Sequence, residues 1–218
     1  MGVTRDQLLD HAAELFAERG FKKVTVREIS ERAGANVAAV NYHFGDKLGL
    51  YREIVERAVA VMEETTAVAM AAGRDATPEE QLRVFVRVFV ERLLAPRAGS
   101  HIQRIMMREM EDPTEMLAVI ARRVMQPRME YLCATVGRLL GRRPSDRVVR
   151  NSAVSIHAQC LMSKTSPALA KLQTTFDYGP ADAAALAGHI TEFSLLALAG
   201  LRRRPRPTRA RRRPRARG

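Results

Sequence analysis

Five helix-boundary signals crowd into the stretch from Gly20 to Asp46, and they leave room only for short helices. Thr25-Val-Arg-Glu28 has the spacing of a capping box, in which the Thr hydroxyl accepts from the backbone N–H three residues on and the Glu carboxylate reaches back to the Thr N–H. Gly34 offers the left-handed residue that stops such a helix. Asn36 is placed to cap a third helix through about Phe44, and Asp46 opens a fourth, much longer one. Upstream, Leu8, Ala12, Leu15 and Phe16 share one face of a first helix that Gly20 ends. Val26, Ile29 and Ala33 form the inner face of the second, and Tyr51, Val55, Ala58 and Met62 a stripe along the fourth toward Ala72.

The same spacing of three and four continues through the chain and strand signals are scarce, so the expected fold class is all-α. Gly73 to Glu80 reads as a loop and a fresh start, with Thr77 as cap, Pro78 at the first helical position and Glu80 closing a second box. The helix from Pro78 to about Leu94 buries Leu82, Phe85, Val86 and Phe89. Further helices are expected from about Ser100 to Glu111 and from near Pro113 to Leu140 with a break or kink at Pro127. Two more run from about Ser145 to Met162 and from Ala181 to about Leu201, with looser chain around Pro167 and Gly179-Pro180 between them.

Charge narrows the function. The formal +12 is mostly a tail: residues 202–218 hold ten Arg and no acid, while residues 1–58 hold nine basic and nine acidic residues. With no apolar face and repeated Pro, the tail is expected to be disordered. Cys133 and Cys160 support neither a disulfide framework nor a short-spaced zinc site. The five histidines show no HExxH, and GxSxG and GxxxxGK are absent, so no catalytic residue, metal or cofactor is expected. The N-terminal stretch lacks the apolar core of a secretory signal, and no window approaches 18 uninterrupted apolar residues. A cytoplasmic protein with no membrane partner is the expectation.

Three short N-terminal helices, the second and third joined by Ala33-Gly34-Ala35-Asn36, make a helix-turn-helix pattern. Small side chains at Ala38 and Ala39 admit a helix to the floor of the major groove, and the Asn41 amide can both donate to and accept from a base edge. On Ala13, Leu15-Phe16, Gly20, Thr25-Val-Arg-Glu-Ile29, Ala33-Gly34, Tyr42-His43-Phe44, Lys47 and Leu50-Tyr51, residues 4–51 resemble the DNA-binding domain of the TetR family of bacterial transcriptional regulators. The stretch from Asn36 to Lys47 departs from the commoner family pattern and is similar to the CecR-like subgroup. Glu109 to Thr114, Gln126-Pro127-Arg128, Leu132-Cys133, His157-Ala-Gln159 and His189 to Ser194 extend that resemblance to about residue 201.

The resemblance implies about nine helices in two parts: a helix-turn-helix DNA-binding domain over 1–50 and a helical ligand-binding and dimerisation domain over 51–201, with the Arg-rich tail of 202–218 outside it. It implies a homodimeric repressor on a palindromic double-stranded DNA operator, released by a small hydrophobic ligand. Arg27, Tyr42, His43 and Lys47 would meet the DNA backbone, and Asn36, Val37, Ala38, Ala39 and Asn41 would face bases. Other roles stand beside these: capping for Asn36, core cover for Tyr42 and a solvated charge for Lys47. The tail is either a nonspecific DNA tether or a solvated extension.

Met106, Met107, Met110, Met116, Met125 and Met129 suit either an adaptable pocket or plain core filling. Candidate ligand contacts are Phe85, Phe89, Met106, Met110, Met129, His157 and Gln159, with His157 or Gln159 orienting a polar group. Val148, Ser152, Ile156 and Cys160 on one late helix and Leu186, Ile190, Phe193 and Ala197 on the other are implied to meet a symmetry mate, though a core within one subunit would use them equally well. The alternative function is a non-catalytic, basic-tailed helical protein acting at anionic membranes or nucleic acid without operator specificity; an enzyme ranks last.

Overall fold

A computed structural model describes residues 4–95, 100–162 and 178–204. The expected loose stretch at Pro167 and the tail from Pro205 lie outside the described residues. Among the described residues there is no strand, in keeping with the all-α expectation.

The boundary signals act as their chemistry requires. Thr4 caps α1 (Arg5–Arg19), exchanging hydrogen bonds with Gln7 in a capping box that the sequence had not suggested. Thr25 caps α2 (Val26–Ala33): its hydroxyl accepts from the Glu28 N–H at 3.2 Å, and Glu28 Oε2 accepts from the Thr25 N–H at 2.8 Å. Gly34 stops α2 at φ 67°, a left-handed value that glycine reaches without steric cost. Asn36 caps α3 (Val37–Phe44) by accepting from the Ala38 N–H at 2.9 Å, and Asp46 caps α4 (Lys47–Ala72) by accepting from the Gly49 N–H at 2.7 Å.

In α5 (Pro78–Leu94) the expected box forms only on one side. Thr77 accepts from the Glu80 N–H, but the Glu80 carboxylate lies on Arg83 Nε at 3.2 Å, where an oppositely charged neighbour outbids a backbone N–H. α6 spans Ser100–Glu111. The next helix starts later than expected, as α7 (Met116–Ile120), and its α-helical hydrogen bonding is interrupted just before Pro127. It passes through a π turn at Ala121–Met125 into α8 (Gln126–Leu140). The wider turn accommodates a residue that has no N–H and whose ring would otherwise strike the carbonyl one turn back. α9 is Arg147–Leu161, capped by Asp146; a 3-10 turn at Pro180–Asp182 leads into α10, Ala183–Arg203. Arg202 and Arg203, assigned from sequence to the tail, are thus helical. Counting α7 to α8 as one run, nine helices stand among the described residues.

Two hydrophobic cores result. The first gathers Leu8, Leu15 and Phe16 of α1, Ile29 of α2, Val40 of α3 and Leu50 to Val59 of α4, then continues into Ile105 of α6, Met116 and Ile120 of α7, and Val124. The second is built around α5, which packs on α4, α8, α9 and α10. Charged contacts tie the first core's helices together: Arg123, in the π turn, reaches Glu56 and Glu63 two turns apart on α4 at 2.5 and 2.6 Å, and Arg52 reaches Glu115 at 2.5 Å.

Among the described residues one helical segment, Pro180–Arg203, is long and apolar enough to cross a bilayer by length and composition, with a mean hydropathy of 1.5, although it holds no run of 18 uninterrupted apolar residues. Core helices of folded proteins meet the same test, and α10 seats Ala187, Ile190 and Leu198 in the second core.

Candidate functional site

α3 owes its shape to a sequence of eight residues without an Asp, Glu, Lys or Arg. Val40 is fully buried, and Ala39 and Phe44 pack against the first core beside it. That seating turns Asn36, Val37, Ala38, Asn41, Tyr42 and His43 outward. Tyr42 is 85 % exposed, which removes core cover as its role, and its ring meets His43 edge-on at 5.1 Å. Of the base-facing candidates, Ala39 alone is half-turned into the core, and Asn36 spends its Oδ1 on the cap while its amide nitrogen remains a donor.

The junction that aims α3 is close-packed. A Cβ at Gly49 would stand 2.1 Å from the Phe44 carbonyl oxygen, so only glycine lets the first turn of α4 approach the end of α3 this closely. Lys47 belongs to the same junction. Its Nζ donates to the Phe21 and Val24 carbonyls at 3.1 and 3.0 Å and stands 4.4 Å over the Phe21 ring. Two of its three donors are therefore spent on holding the α1–α2 turn to the head of α4, leaving one to face outward. Arg27 sits on the exposed side of α2, its Nε on Glu31 Oε1 at 2.8 Å, and its pKa is raised by that bond.

The charge balance of this region resolves into pairs. Asp6 binds Arg57, Glu14 binds Arg32, Glu28 binds Arg19 and Glu31 binds Arg27, so acids stand beside cations on α1, α2 and α4 while the α3 face stays free of carboxylates. The Arg19 guanidinium and the Thr25 cap hold the Glu28 carboxyl at about 2. A neutral domain can thus present a face without anions to a polyanion.

Behind this platform lies a polar link that the residue patterns did not single out. Glu109, only 1 % exposed, accepts from the Tyr51 hydroxyl at 2.6 Å, the Thr114 hydroxyl at 2.8 Å and the Thr114 N–H at 3.1 Å. It fastens α4 to α6 and to the turn before α7. Burial and the facing carboxylate push the Tyr51 phenol well above its usual range.

The seven ligand candidates separate. Phe85 and Phe89 stack at 5.9 Å, His157 faces Phe89 at 5.3 Å, and Met129 packs on the same second core. Met106 lies against the first core instead, Met110 is 59 % exposed, and Gln159 lines an outer groove. Met106 and Met110 do not join the others because α6 turns its methionines toward α1 and solvent, and Gln159 does not because it stands on the groove side of α9. Arg128, which the sequence resemblance included without a role, does join the others: it is 5 % exposed, with its guanidinium 4.6 Å over the Phe89 ring. Desolvation pushes Arg128 down to about 10, and burial beside that cation pushes His157 down to about 4.

The outer groove, about 360 Å³, runs between α9 and α10. Ser152, Ser155, Gln159, Phe193 and Ala197 line it, and Val154, Phe193 and Leu196 are more than half exposed. Cys160 and Ile190 point the other way, into the subunit's own core, while Ile156 and Leu198 border both the groove and that core.

Residues 8–54 match the family described as bacterial regulatory proteins, tetR family, and residues 78–200 match the C-terminal domain of the HTH-type transcriptional dual regulator CecR. The HTH-type transcriptional repressor AcnR of Corynebacterium glutamicum is 34% identical over 95 residues, covering 42% of this chain and 50% of AcnR. This chain spans about half the length of the curated relatives it matches. Among solved structures, the ketosteroid transcriptional regulator KstR2 of Mycobacterium tuberculosis aligns over 88% of this chain and 93% of its own at 20% identity, with a TM-score of 0.65. AibR, in complex with isovaleryl coenzyme A and operator DNA, aligns over 85% of this chain and 95% of its own at 21% identity, with a TM-score of 0.62. At these identities the likeness is one of fold.

Proposed function

The chain belongs to the TetR family of bacterial regulatory proteins, and from that membership we propose that it is a homodimeric repressor of transcription that binds an inverted-repeat operator and is released by a small apolar ligand. The observation that carries this reading is the α3 face: Asn36, Val37, Ala38, Asn41, Tyr42 and His43 stand outward, without a carboxylate, on a base held by caps at Thr25, Asn36 and Asp46. Asn41 reads a base edge, Val37 and Ala38 meet thymine methyls, and Arg27, Tyr42, His43 and the third donor of Lys47 hold the backbone.

The groove between α9 and α10 supports the dimer. Phe193, Val154 and Leu196 are apolar side chains that a second copy would cover, and two such helix pairs make a four-helix bundle about a twofold axis. A twofold dimer sets its two α3 helices in successive major grooves, hence the inverted repeat. Residues 1–50 read DNA and 51–201 bind ligand and partner, with α4 common to both. A ligand that prefers a form with wrongly spaced α3 helices weakens operator binding by that affinity ratio, and operator weakens ligand binding equally. The AibR complex, which holds an acyl coenzyme A and operator DNA, supports both halves of this scheme.

Selection of bound fragments from genomic DNA tests it. The expected result is enrichment of one inverted repeat, with Asn41→Ala lowering affinity for it by about 1–3 kcal/mol, roughly fivefold to 150-fold, while leaving thermal stability unchanged. Recovery of DNA without an enriched repeat would overturn the reading.

A further inference from the structure

Arg128 is the one buried cation among the described residues, and the groups around its guanidinium are neutral. Nε and Nη2 donate to the Thr66 hydroxyl at 3.3 and 3.1 Å, Nη2 reaches the Met62 carbonyl at 3.4 Å, and the Phe89 ring and the buried Cys160 thiol stand beside it. Among the described residues no carboxylate lies within ion-pair distance of it, and its hydrogen bonds to them all come from Nε and Nη2. His157, on α9, faces the same Phe89 ring, and its Nε2 is buried without a hydrogen-bond partner. A guanidinium withdrawn from water is costly unless an anion meets it, and its fork of parallel N–H groups fits the two oxygens of a carboxylate. With a single cation at the site, the matching charge is one, and a neutral imidazole can add one donor.

We propose that Arg128 and His157 receive the carboxylate head of the regulatory ligand, with the stacked Phe85 and Phe89 and Met129 meeting its apolar body. The assignment deepens the ligand-released reading above and rests on it. It also names the route to DNA. Met62 and Thr66 belong to α4, the helix that carries the DNA-reading platform, so a carboxylate that takes Nη2 from the Met62 carbonyl removes a bond between the ligand core and that helix.

Calorimetric titration of the full chain tests the proposal with butyrate, octanoate, dodecanoate and benzoate, each against its matched alcohol, and with inorganic phosphate. At least one carboxylate should bind tenfold or more tightly than its alcohol. Arg128→Met should abolish the difference and Arg128→Lys, which keeps the charge without the fork, should retain part of it, circular dichroism showing both variants folded. The proposal is overturned if no acid outbinds its alcohol, if Arg128→Met keeps the preference, or if phosphate binds while every carboxylate fails. Operator binding, measured on the same preparation without ligand, separates the two claims: operator binding with no carboxylate preference sinks this inference alone, and a preference without operator binding sinks the repressor.

Discussion

In the first core Glu109 is 1 % exposed and accepts three hydrogen bonds, whereas in the second Arg128 is 5 % exposed and donates only to a hydroxyl and a carbonyl. The contrast extends to neutral groups. Among the described residues, the buried side-chain atoms without a partner include only Ser30 Oγ from the DNA-reading helices, whereas His157 Nε2 and Ser194 Oγ lie on α9 and α10. One region satisfies its polar groups from its own chain. The other keeps donors and acceptors in hand, as a core must if a ligand or a second subunit is to complete it.

Four measurements break or sharpen that contrast. Phe16→Ala, in the satisfied core, should cost the most, about 3–5 kcal/mol by urea denaturation, because the cavity lies where Phe21 and Tyr51 meet it and cannot collapse. Next comes acid titration of the open core. The folded pKa of His157, about 4, lies below its ordinary value of 6.5, so the unfolded chain binds more protons between them and stability falls as pH drops through that window. The loss should approach about 3 kcal/mol near pH 4 and vanish in His157→Phe, as followed by thermal melts across pH. Tyr51→Phe should cost about 2 kcal/mol, since it leaves a buried carboxylate one donor short. Arg128→Met should have the opposite sign and the smallest size, a gain of about 1–2 kcal/mol in chemical denaturation, because an apolar stem of similar length replaces an unmatched buried charge. A loss in that last variant comparable to Tyr51→Phe would mean that the two cores do not differ in kind.

Much of the DNA-reading half was legible because its determinants are local. A cap acts two or three residues away, so Thr25, Asn36 and Asp46 announce themselves in the sequence, and spacing alone places Val40 inward and Asn41 outward. Lys47 and Gly49 were harder. That Lys47 would clamp the Phe21 and Val24 carbonyls, and that Gly49 would lie against the Phe44 carbonyl, depends on how α1, α3 and α4 meet. The candidate ligand set fared worse. A methionine cluster in the sequence says nothing about which helix face turns to which core, and it scattered Met106, Met110 and Met129 among three environments.

The chain's local chemistry therefore determined where α2, α3 and α4 begin, that the fold is all-α, and which residues α3 turns outward, because caps, glycines and apolar spacing act within a turn or two. Tertiary structure alone decided which polar residues are buried and with what. Arginine and glutamate are by default exposed, and nothing beside them in the sequence marks the exceptions. Glu109 is withdrawn from water where α6 meets α4, and Arg128 where α8 is covered by side chains of α4, α5 and α9, which gives one a full set of donors and leaves the other a charge with no anion beside it among the described residues.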